Sequence, residues 1–374
     1  MNTPVKSPLE NVYAQGGFPL VKYHGALLPG RFSDPVVEHR AVREAAGIFD
    51  FSFRARFTAK GNDRTRFLQG MVSNDVKKLE PGQGTYATML DTKGHILFDT
   101  WIYCTPDSFI LETDADLAEK AMHALNHYNI GGRVPLDPDG LRAIAFQGLV
   151  SRHFAEVCLR IDLPPMNEHD FIRAAFDRNP AFIARVSSTG EEGYEVWTSP
   201  DAITSLWQHT LDIAPEFSVL PCGVEALETL RIEAAIPRYG QELAEDTLPL
   251  EAGLLNALSF TKGCYVGQEI VERARSRGHV NWKLVGLFVD SSQIPAAGEK
   301  LFADGKEIGE ITSSCVSPSL GRTIALAYVR REFQEPGMRL ILQSGGAAEV
   351  ARLPFYPPAT SPPQSQDIST AIQG

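Results

Sequence analysis

The segment FSFRARFTAK, residues 51–60, carries the clearest secondary-structure signal in the chain. Apolar residues occupy every second position, and Arg54 and Arg56 fall between them with other polar residues. A period of two is that of a β-strand with one face in the core and one face in solvent. We therefore predict a half-buried strand here, with both arginines on its solvent face.

Predicted helices and strands lie on both sides of this strand. A helix should begin at Ser33–Pro35, where a capping residue precedes a proline, and end near Ala46. A short helix follows from Asp63, and residues 84–113 predict a meander of strands. The first turn of the meander, Asp91–Gly94, has aspartate and glycine where a type I turn prefers them. This part of the chain therefore mixes helices with antiparallel strands.

The middle of the chain repeats the mixture. Strands are predicted at about 141–147, 170–176, 181–188 and 193–198, and helices at about 149–159, 201–212 and 222–235. Their irregular order favours α+β layers over a doubly wound sheet. No GxGxxG motif follows a strand and the sequence has no P-loop, so nucleotide binding of those kinds is not indicated.

The chain changes character near residue 280. Short apolar segments separated by turn residues follow, and Asp304–Gly305 between two of them is a strong hairpin signal. We predict a separate small β-barrel over residues 280–355. The tail, residues 356–374, is rich in proline, serine and glutamine and is predicted to be disordered.

The segment TKGCYVGQEI, residues 261–270, predicts a sharply turned loop followed by a helix. Cys264 would lie just before the helix N-terminus and beside Lys262. Both neighbours favour a thiolate, so Cys264 is a candidate reactive thiol. The alternative, a small half-buried loop residue, stays open on these observations.

Composition limits the classes of partner. The net charge of −11 over 374 residues argues against nucleic acid as the main partner. The five cysteines are scattered without a CxxC pair, which indicates reduced thiols and a cytoplasmic location. No signal peptide or membrane-spanning segment is evident, so no membrane partner is expected. His123 and His127 have i,i+4 spacing without an accompanying acid, and we predict no metal site.

Charged residues inside apolar elements mark candidate site positions. Asp99 lies within the strand HILFDTWIY, where a carboxylate needs hydrogen bonds or a cavity. Glu195 lies just inside the strand that follows STGEEG, and could accept two N–H bonds from an aminopyrimidine ring. Arg231 interrupts the apolar face of helix 222–235 and requires an anionic partner. Each residue also has a purely structural interpretation. Asp99 could be an acid at a strand edge, and Glu195 a surface acid beside a turn. Arg231 could pair with Glu228 or Glu233.

Ordered motifs over about residues 34–355 resemble the glycine-cleavage T-protein superfamily, the tetrahydrofolate-dependent aminomethyltransferases. They are EHRAVREAAGIFDFS, FLQGMVSNDV, GHILFD, STGEEGYEV, LETLRIEAAIPRYGQEL, LPLEAGL and EIGEITSSCVSPSLGRTIALAYV. The resemblance implies two ferredoxin-like α+β subdomains within residues 1–279, split near 135–140. With the C-terminal β-barrel they would form a cloverleaf around a central folate channel.

The resemblance also implies roles for individual residues. Asp99 matches the catalytic aspartate, Glu195 the pterin-binding glutamate, and Arg231 the arginine of the LRLE helix. Asn74, in the FLQGMVSNDV motif, is implied to bind the cofactor, tetrahydrofolate. The folate-contacting arginine of the last hairpin falls near Ser344–Gly346, where this sequence has no arginine.

Within the superfamily, KGCYVGQE resembles the signature of the YgfZ-type folate-binding proteins, which support assembly or repair of iron–sulfur enzymes. Their signature cysteine matches Cys264, and Lys262, Tyr265 and Gln268 are implied to line the folate pocket. T-proteins usually carry an acid or amide at the cysteine position and a lysine at the position of Gln268. We therefore expect an accessory protein for iron–sulfur enzymes or their assembly machinery, acting through Cys264 beside the folate and with Asp99 facing its reactive region.

Two alternatives stay open from the sequence. One is an aminomethyl- or methyl-transferase that uses Asp99, with a lipoyl carrier protein as partner and Cys264 as a structural residue. The other is a folate-binding module that performs no chemistry. The sequence therefore leaves open whether the protein is an enzyme.

Overall fold

The structure is a computed structural model and describes residues 6–291 and 293–357. The α-helices are α1 (Glu10–Gly16), α2 (Pro35–Glu44), α3 (Arg64–Met71), α4 (Ala118–Tyr128), α5 (Ser151–Leu159), α6 (Pro200–Ile213), α7 (Val224–Glu233) and α8 (Gln268–Arg277). The strands before the barrel are β1 (Leu20–Tyr23), β2 (Ala26–Pro29), β3 (Ala46–Asp50), β4 (Arg54–Ala59), β5 (Gly84–Leu90), β6 (Ile96–Cys104), β7 (Phe109–Asp114), β8 (Leu136–Pro138), β9 (Arg142–Gln147), β10 (Phe171–Phe176), β11 (Asn179–Arg185), β12 (Gly193–Thr198) and β13 (Val219–Pro221). The barrel strands are β14 (Trp282–Asp290), β15 (Lys300–Ala303), β16 (Lys306–Ser317), β17 (Arg322–Arg330), β18 (Arg339–Leu342) and β19 (Ala347–Ala351).

Two open sheets and a closed barrel organise these elements. The five-stranded sheet has the order β5-β6-β7-β4-β8, and the six-stranded sheet has the order β10-β11-β12-β9-β3-β13. The barrel has the order β14-β17-β16-β15-β18-β19 and closes where β14 pairs with β19. This arrangement confirms the predicted α+β class with a C-terminal β-barrel.

Strand β3 precedes every strand of the five-stranded sheet in the chain, yet it belongs to the six-stranded sheet. Strands β3 and β4 are consecutive in the chain, yet β3 pairs with β9 and β13 while β4 pairs with β7 and β8. The short segment between β3 and β4 therefore carries the chain from one sheet to the other. This crossing brings residues of both sheets close together around β4.

Helix α2 begins as expected and ends early. The side chain of Asp34 accepts a hydrogen bond from the Val36 amide at 2.8 Å, and Pro35 occupies the first helical position. The helix ends at Glu44 because Ala46 begins β3, whose two neighbouring strands bind its backbone. Tertiary pairing thus overrides the local helical pattern.

Strand β4 is present as predicted, but the prediction that Arg54 and Arg56 face solvent is wrong. Ser52 and Arg56 are 1% and 4% exposed, and Arg54 is only partly accessible. The polar face of β4 is covered because the six-stranded sheet packs against it, with Arg56 reaching Glu195 on β12. Both faces of the strand are therefore buried, one by apolar residues and one by charged residues.

Helix α7 attaches the barrel to the open sheets. Ile232 packs with barrel residues that include Leu284 and Leu326, while Arg231 and Glu233 bond to side chains of β16. The predicted hairpin at Asp304–Gly305 is confirmed, since both residues have positive φ, 49° and 72°. The tail predicted to be disordered, residues 356–374, lies outside the described residues from position 358 onward.

Candidate active site

A buried network of charged side chains lies where the two open sheets meet. Arg54 and Arg56 on β4 stand directly opposite Asp114 and Glu112 on β7. Arg54 Nη1 is 2.9 Å from Asp114 Oδ1, and Arg56 Nη2 is 2.6 Å from Glu112 Oε2. Cross-strand pairs of opposite charge stabilise a sheet, and burial strengthens their electrostatic attraction. This network supplies the surroundings of the two predicted acids, Asp99 and Glu195.

Glu195 enters the network from β12 of the six-stranded sheet. Its Oε2 accepts hydrogen bonds from Arg56 Nη2 at 3.2 Å and from Trp197 Nε1 at 3.1 Å. The residue is 0% exposed, and its Oε1 has no hydrogen-bond partner among residues 6–291 and 293–357. The guanidinium carbon of Arg56 lies 4.5 Å from the centroid of the Trp197 ring. The carboxylate is therefore held by one oxygen, and its other oxygen is buried without a partner in the part of the chain that the structure describes.

Asp99 lies on β6 and is also buried. It faces Thr88 on β5, so Tyr86, two residues before Thr88, projects from the same side of the sheet. The Tyr86 hydroxyl donates to Asp99 Oδ2 at 3.0 Å. Burial raises the pKa of Asp99 to about 6, with the charge of Asp114 adding to the rise and Arg54 opposing it. A carboxyl with this pKa can exchange a proton near neutral pH.

The other acids of the network divide into two groups. Burial raises the pKa of Glu112 to about 7, although Arg56 opposes the rise. Burial acts in the same direction on Asp114, but Arg54 and His24 hold the pKa of that carboxyl well below its usual range. Asp99 and Glu112 therefore titrate in the physiological range while Asp114 stays ionised, which is the kind of divergence that general acid–base sites show.

The KGCYVGQE loop lies beside Tyr86. The Lys262 ammonium donates to the backbone carbonyls of Val72 and Asn74, and its burial lowers its pKa to about 8. Asn74 Nδ2 in turn donates to the Tyr86 carbonyl at 2.8 Å, and Tyr265 is buried in the same apolar cluster as Tyr86. The structure thus brings the predicted residues Lys262, Asn74 and Tyr265 together next to the tyrosine that holds Asp99.

Cys264 and Gln268 occupy the outer part of this loop. Cys264 is exposed, which differs from the half-buried alternative, and the neighbouring Lys262 ammonium donates to backbone carbonyls. Gln268 is the half-buried first residue of α8. The glycine before it, Gly267, has φ 82°, and a Cβ there would lie 2.6 Å from the Asp91 carbonyl oxygen. The glycine is therefore required by close backbone packing against the β5–β6 turn.

Arg231 belongs to a different network, between α7 and the barrel. Its guanidinium bonds to Glu228 Oε2 at 2.9 Å, to Glu242 Oε2 at 2.8 Å and to Ser313 Oγ at 2.6 Å. The alternative that paired Arg231 with Glu228 is thus found, with Glu242 as a second partner. Contact with a ligand anion stays a prediction for this residue.

Sequence reasoning missed four charged residues of the site, Arg54, Arg56, Glu112 and Asp114. A signal for them exists in the two strand sequences. FRARF places two arginines two positions apart, and LETD places two acids two positions apart in a neighbouring strand. Each residue of one antiparallel strand lies opposite one residue of the next strand. Two basic residues two positions apart in one strand, and two acidic residues with the same spacing in its neighbour, therefore indicate two ion pairs between the strands.

Comparisons with known proteins identify the class. The model of the GCVT N-terminal domain matches residues 12–262, and that of the glycine cleavage T-protein C-terminal barrel domain matches residues 283–357. The chain belongs to the glycine cleavage T-protein family.

Individual relatives span nearly the whole chain. An aminomethyltransferase of Geobacillus sp. (strain WCH70) is 35% identical over 362 residues, which cover 94% of this chain and 98% of the relative. An aminomethyltransferase of Bacillus subtilis (strain 168) is 33% identical over 362 residues, covering 94% and 99%. The crystal structure of glycine cleavage system aminomethyltransferase T from Bartonella henselae superposes with a TM-score of 0.87 at 23% identity, covering 94% and 98%. This last similarity shows a shared fold.

These relatives confirm part of the sequence interpretation and correct the rest. The T-protein superfamily is confirmed, and so is tetrahydrofolate as the predicted cofactor, because aminomethyltransferases of this family use it. The accessory function for iron–sulfur enzymes is wrong, since full-length relatives are aminomethyltransferases. That expectation rested on one eight-residue loop, KGCYVGQE, whose Cys264 is exposed, whereas Asp99 and Glu195 are buried in the network between the sheets. Within residues 6–291 and 293–357, no helix has the length and apolar character needed to cross a membrane.

Proposed function

We propose that this chain is a tetrahydrofolate-dependent aminomethyltransferase that receives its one-carbon group from a lipoyl carrier protein. The observation that carries the proposal is Asp99, a buried carboxyl with a pKa of about 6 held by the Tyr86 hydroxyl. The relatives named aminomethyltransferase support the same reaction. Moving a one-carbon group from the carrier's thiol and amine to the two amines of tetrahydrofolate requires proton transfer, which a carboxyl with this pKa can perform.

The unpartnered atoms of the network fit the pterin end of tetrahydrofolate. Glu195 Oε1 is a buried acceptor without a partner, and it would hold the N–H groups of an aminopyrimidine ring. The Tyr103 hydroxyl is also buried and unpartnered within the described residues. This hydroxyl and the ring of Trp197 would border the pterin ring, since the ring centroids of Tyr103 and Trp197 lie 4.6 Å apart. When bound, tetrahydrofolate supplies the nitrogen atoms that accept the one-carbon group.

Asp99 would then move protons during transfer. Above its pKa of about 6 the carboxylate is ionised and can accept the proton that an attacking amine must release. The same carboxyl can return that proton to the ammonia that departs as its C–N bond breaks, while the second amine proton leaves on the carrier's lipoyl thiol, whose C–S bond breaks as the second C–N bond forms. The Tyr86 hydroxyl fixes Oδ2 during both steps, and Arg54 stabilises the ionised form. Burial of the site keeps water from competing for these protons.

The test is an anaerobic assay with tetrahydrofolate and an aminomethylated lipoyl carrier protein, following methylene-tetrahydrofolate and ammonia. The wild type should form the two products in equal amounts. Asp99→Asn should lose about 100-fold or more in turnover, the usual contribution of a general acid–base residue, while its affinity for tetrahydrofolate stays within about threefold. Asp304→Asn, in an exposed hairpin of the barrel, is the matched control. Tetrahydrofolate binding without turnover in the wild type, or full turnover in Asp99→Asn, overturns the proposal.

A further inference from the structure

Buried polar atoms without hydrogen-bond partners concentrate around Arg56. They include Nε and Nη1 of Arg56, Oε1 of Glu195 and the hydroxyl of Tyr103. A buried polar atom that stays unsatisfied destabilises the fold, so a cluster of them indicates a place where a ligand or ordered water completes the bonding. Because acceptor and donors occur together, the missing partner must present both kinds of group.

The pairing of Arg56 with Glu195 uses one nitrogen of the guanidinium and one oxygen of the carboxylate. A single hydrogen bond, from Nη2 to Oε2 at 3.2 Å, joins the two side chains, in place of the two parallel bonds that a bidentate pair makes. Nη1 shares its carbon with Nη2, and Oε1 shares its carbon with Oε2. The unused donor and the unused acceptor therefore belong to the two groups that this bond joins.

The guanidinium of Arg56 is held in place from two sides. Glu112 Oε2 lies 2.6 Å from Nη2, and the guanidinium carbon lies 4.5 Å from the centroid of the Trp197 ring. A planar cation fixed by a carboxylate and an aromatic face presents its remaining N–H groups in set directions. Guanidinium N–H groups donate only, so Arg56 accepts no hydrogen bond from a ligand.

We propose that Arg56 and Glu195 together recognise the donor–acceptor edge of the ligand ring, and that Arg56 makes the site selective for a ring with an oxo group. Glu195 Oε1 accepts from the ring N–H or amino group, and Arg56 donates to the oxo oxygen beside it. This inference rests on the proposed function, in which the ligand is a 4-oxo pterin. A ring with an amino group at that position would direct N–H groups at Arg56 and leave buried donors facing each other.

The experiment compares two ligands that differ in the group at position 4 and therefore also at N3, which is an N–H donor beside the oxo group and an acceptor beside the amino group. Tetrahydrofolate and its 4-amino-4-deoxy analogue are titrated anaerobically into the full-length protein, with binding followed by calorimetry. The wild type should bind tetrahydrofolate about 100-fold or more tightly than the analogue, because a site built around a hydrogen bond rejects the mismatched group strongly. Equal affinity for both ligands in the wild type overturns the inference.

Variants of Arg56 test whether this residue causes the preference for tetrahydrofolate over the 4-amino analogue. Glutamine can donate or accept through its amide, so Arg56→Gln should reduce the preference to about tenfold or less, mainly by binding the analogue more tightly. Because this variant leaves two acids without their cation, the double variant Arg56→Gln, Glu112→Gln is tested as well. Arg133→Gln, which removes an exposed arginine, should keep the full preference. An undiminished preference in either Arg56 variant contradicts the assignment.

The outcomes separate this inference from the proposed function. Turnover with tetrahydrofolate but no preference between the ligands leaves aminomethyl transfer standing and rejects the role of Arg56. A strong preference without turnover keeps the recognition edge and rejects the transferase. Binding of neither ligand overturns both, and ordered water would then be the partner of the buried atoms.

Discussion

The Tyr86 hydroxyl donates a hydrogen bond of 3.0 Å to Oδ2 of Asp99, and both side chains are buried on one face of the five-stranded sheet. The bond favours the ionised carboxylate, while burial and Asp114 favour the protonated form. The balance places the pKa of Asp99 at about 6. Tyr86 is therefore a positioning residue whose removal should change the pH dependence of turnover.

Tyr86→Phe should move the acid side of the pH–rate profile to higher pH. In the wild type, kcat should rise through about pH 6 as Asp99 loses its proton and becomes able to accept one. Loss of a hydrogen bond to the charged form raises the pKa of Asp99, so the midpoint should shift upward by about one pH unit. The kcat profile between pH 5 and 9 measures the shift, and Tyr128→Phe on α4 is the control. An unchanged midpoint would show that Asp99 is not the titrating group.

The sequence predicted the elements of this site better than their surroundings. The period of two in FSFRARFTAK identified β4, but periodicity separates two faces without showing what covers them. Arg56 is buried because Glu195, far along the chain, approaches it from another sheet. Asp99 and Glu195 could be found because an acid inside an apolar strand is conspicuous, whereas their arginine partners alternate like ordinary surface residues.

Two other misjudgements have local causes. Strand β3 directly follows helix α2 and forms because it pairs with β9 and β13. The sequence alone does not show this pairing, so the predicted helix ended too late. The KGCYVGQE loop carries a strong motif, and its contacts show that Lys262 and Gly267 serve backbone packing. The KGCYVGQE motif has eight residues, whereas the similarity to an aminomethyltransferase extends over 362 residues. The longer similarity is the better guide to function.

Arg231→Met should destabilise the fold, because the arginine connects α7 to Glu242 and to Ser313 of the barrel. Its loss leaves the buried carboxylate of Glu242 without a cation, which costs about 3–5 kcal/mol of unfolding free energy. Urea unfolding at pH 7 measures the change. Arg273→Met, whose arginine pairs with Glu269 on the exposed face of α8, should cost less than about 1 kcal/mol. Unchanged stability with weakened folate binding would contradict the structural role and support the predicted contact with a ligand anion.

The acid stability of the protein should depend on Glu233 of α7. Burial alone would raise the pKa of this carboxyl, but hydrogen bonds from His39, Ser317 and Arg43 lower it to about 2. A lowered pKa means that the unfolded chain binds a proton before the folded chain does. The stabilisation by Glu233 is therefore complete above about pH 4.5 and is lost as the pH falls toward 2.

Glu233→Gln should lower the unfolding free energy at pH 7 by about 3 kcal/mol, since it removes the buried carboxylate that Arg43 Nη2 and His39 Nε2 contact and leaves Glu191 as the remaining acid beside Arg43. It should also flatten the decline between pH 4.5 and 2 by up to about 1.4 kcal/mol per pH unit. Asp99 and Glu112, whose pKa values are raised, act with the opposite sign, and their contributions are lost as the pH rises toward 7. Urea titrations at several pH values separate the pH range in which Glu233 acts, 4.5 to 2, from the range below pH 7 in which Asp99 and Glu112 act. The exposed Glu44→Gln is the control. If Glu233→Gln kept the slope of the wild type below pH 4.5, the charge of Glu233 would not be what joins α2, α7 and the barrel.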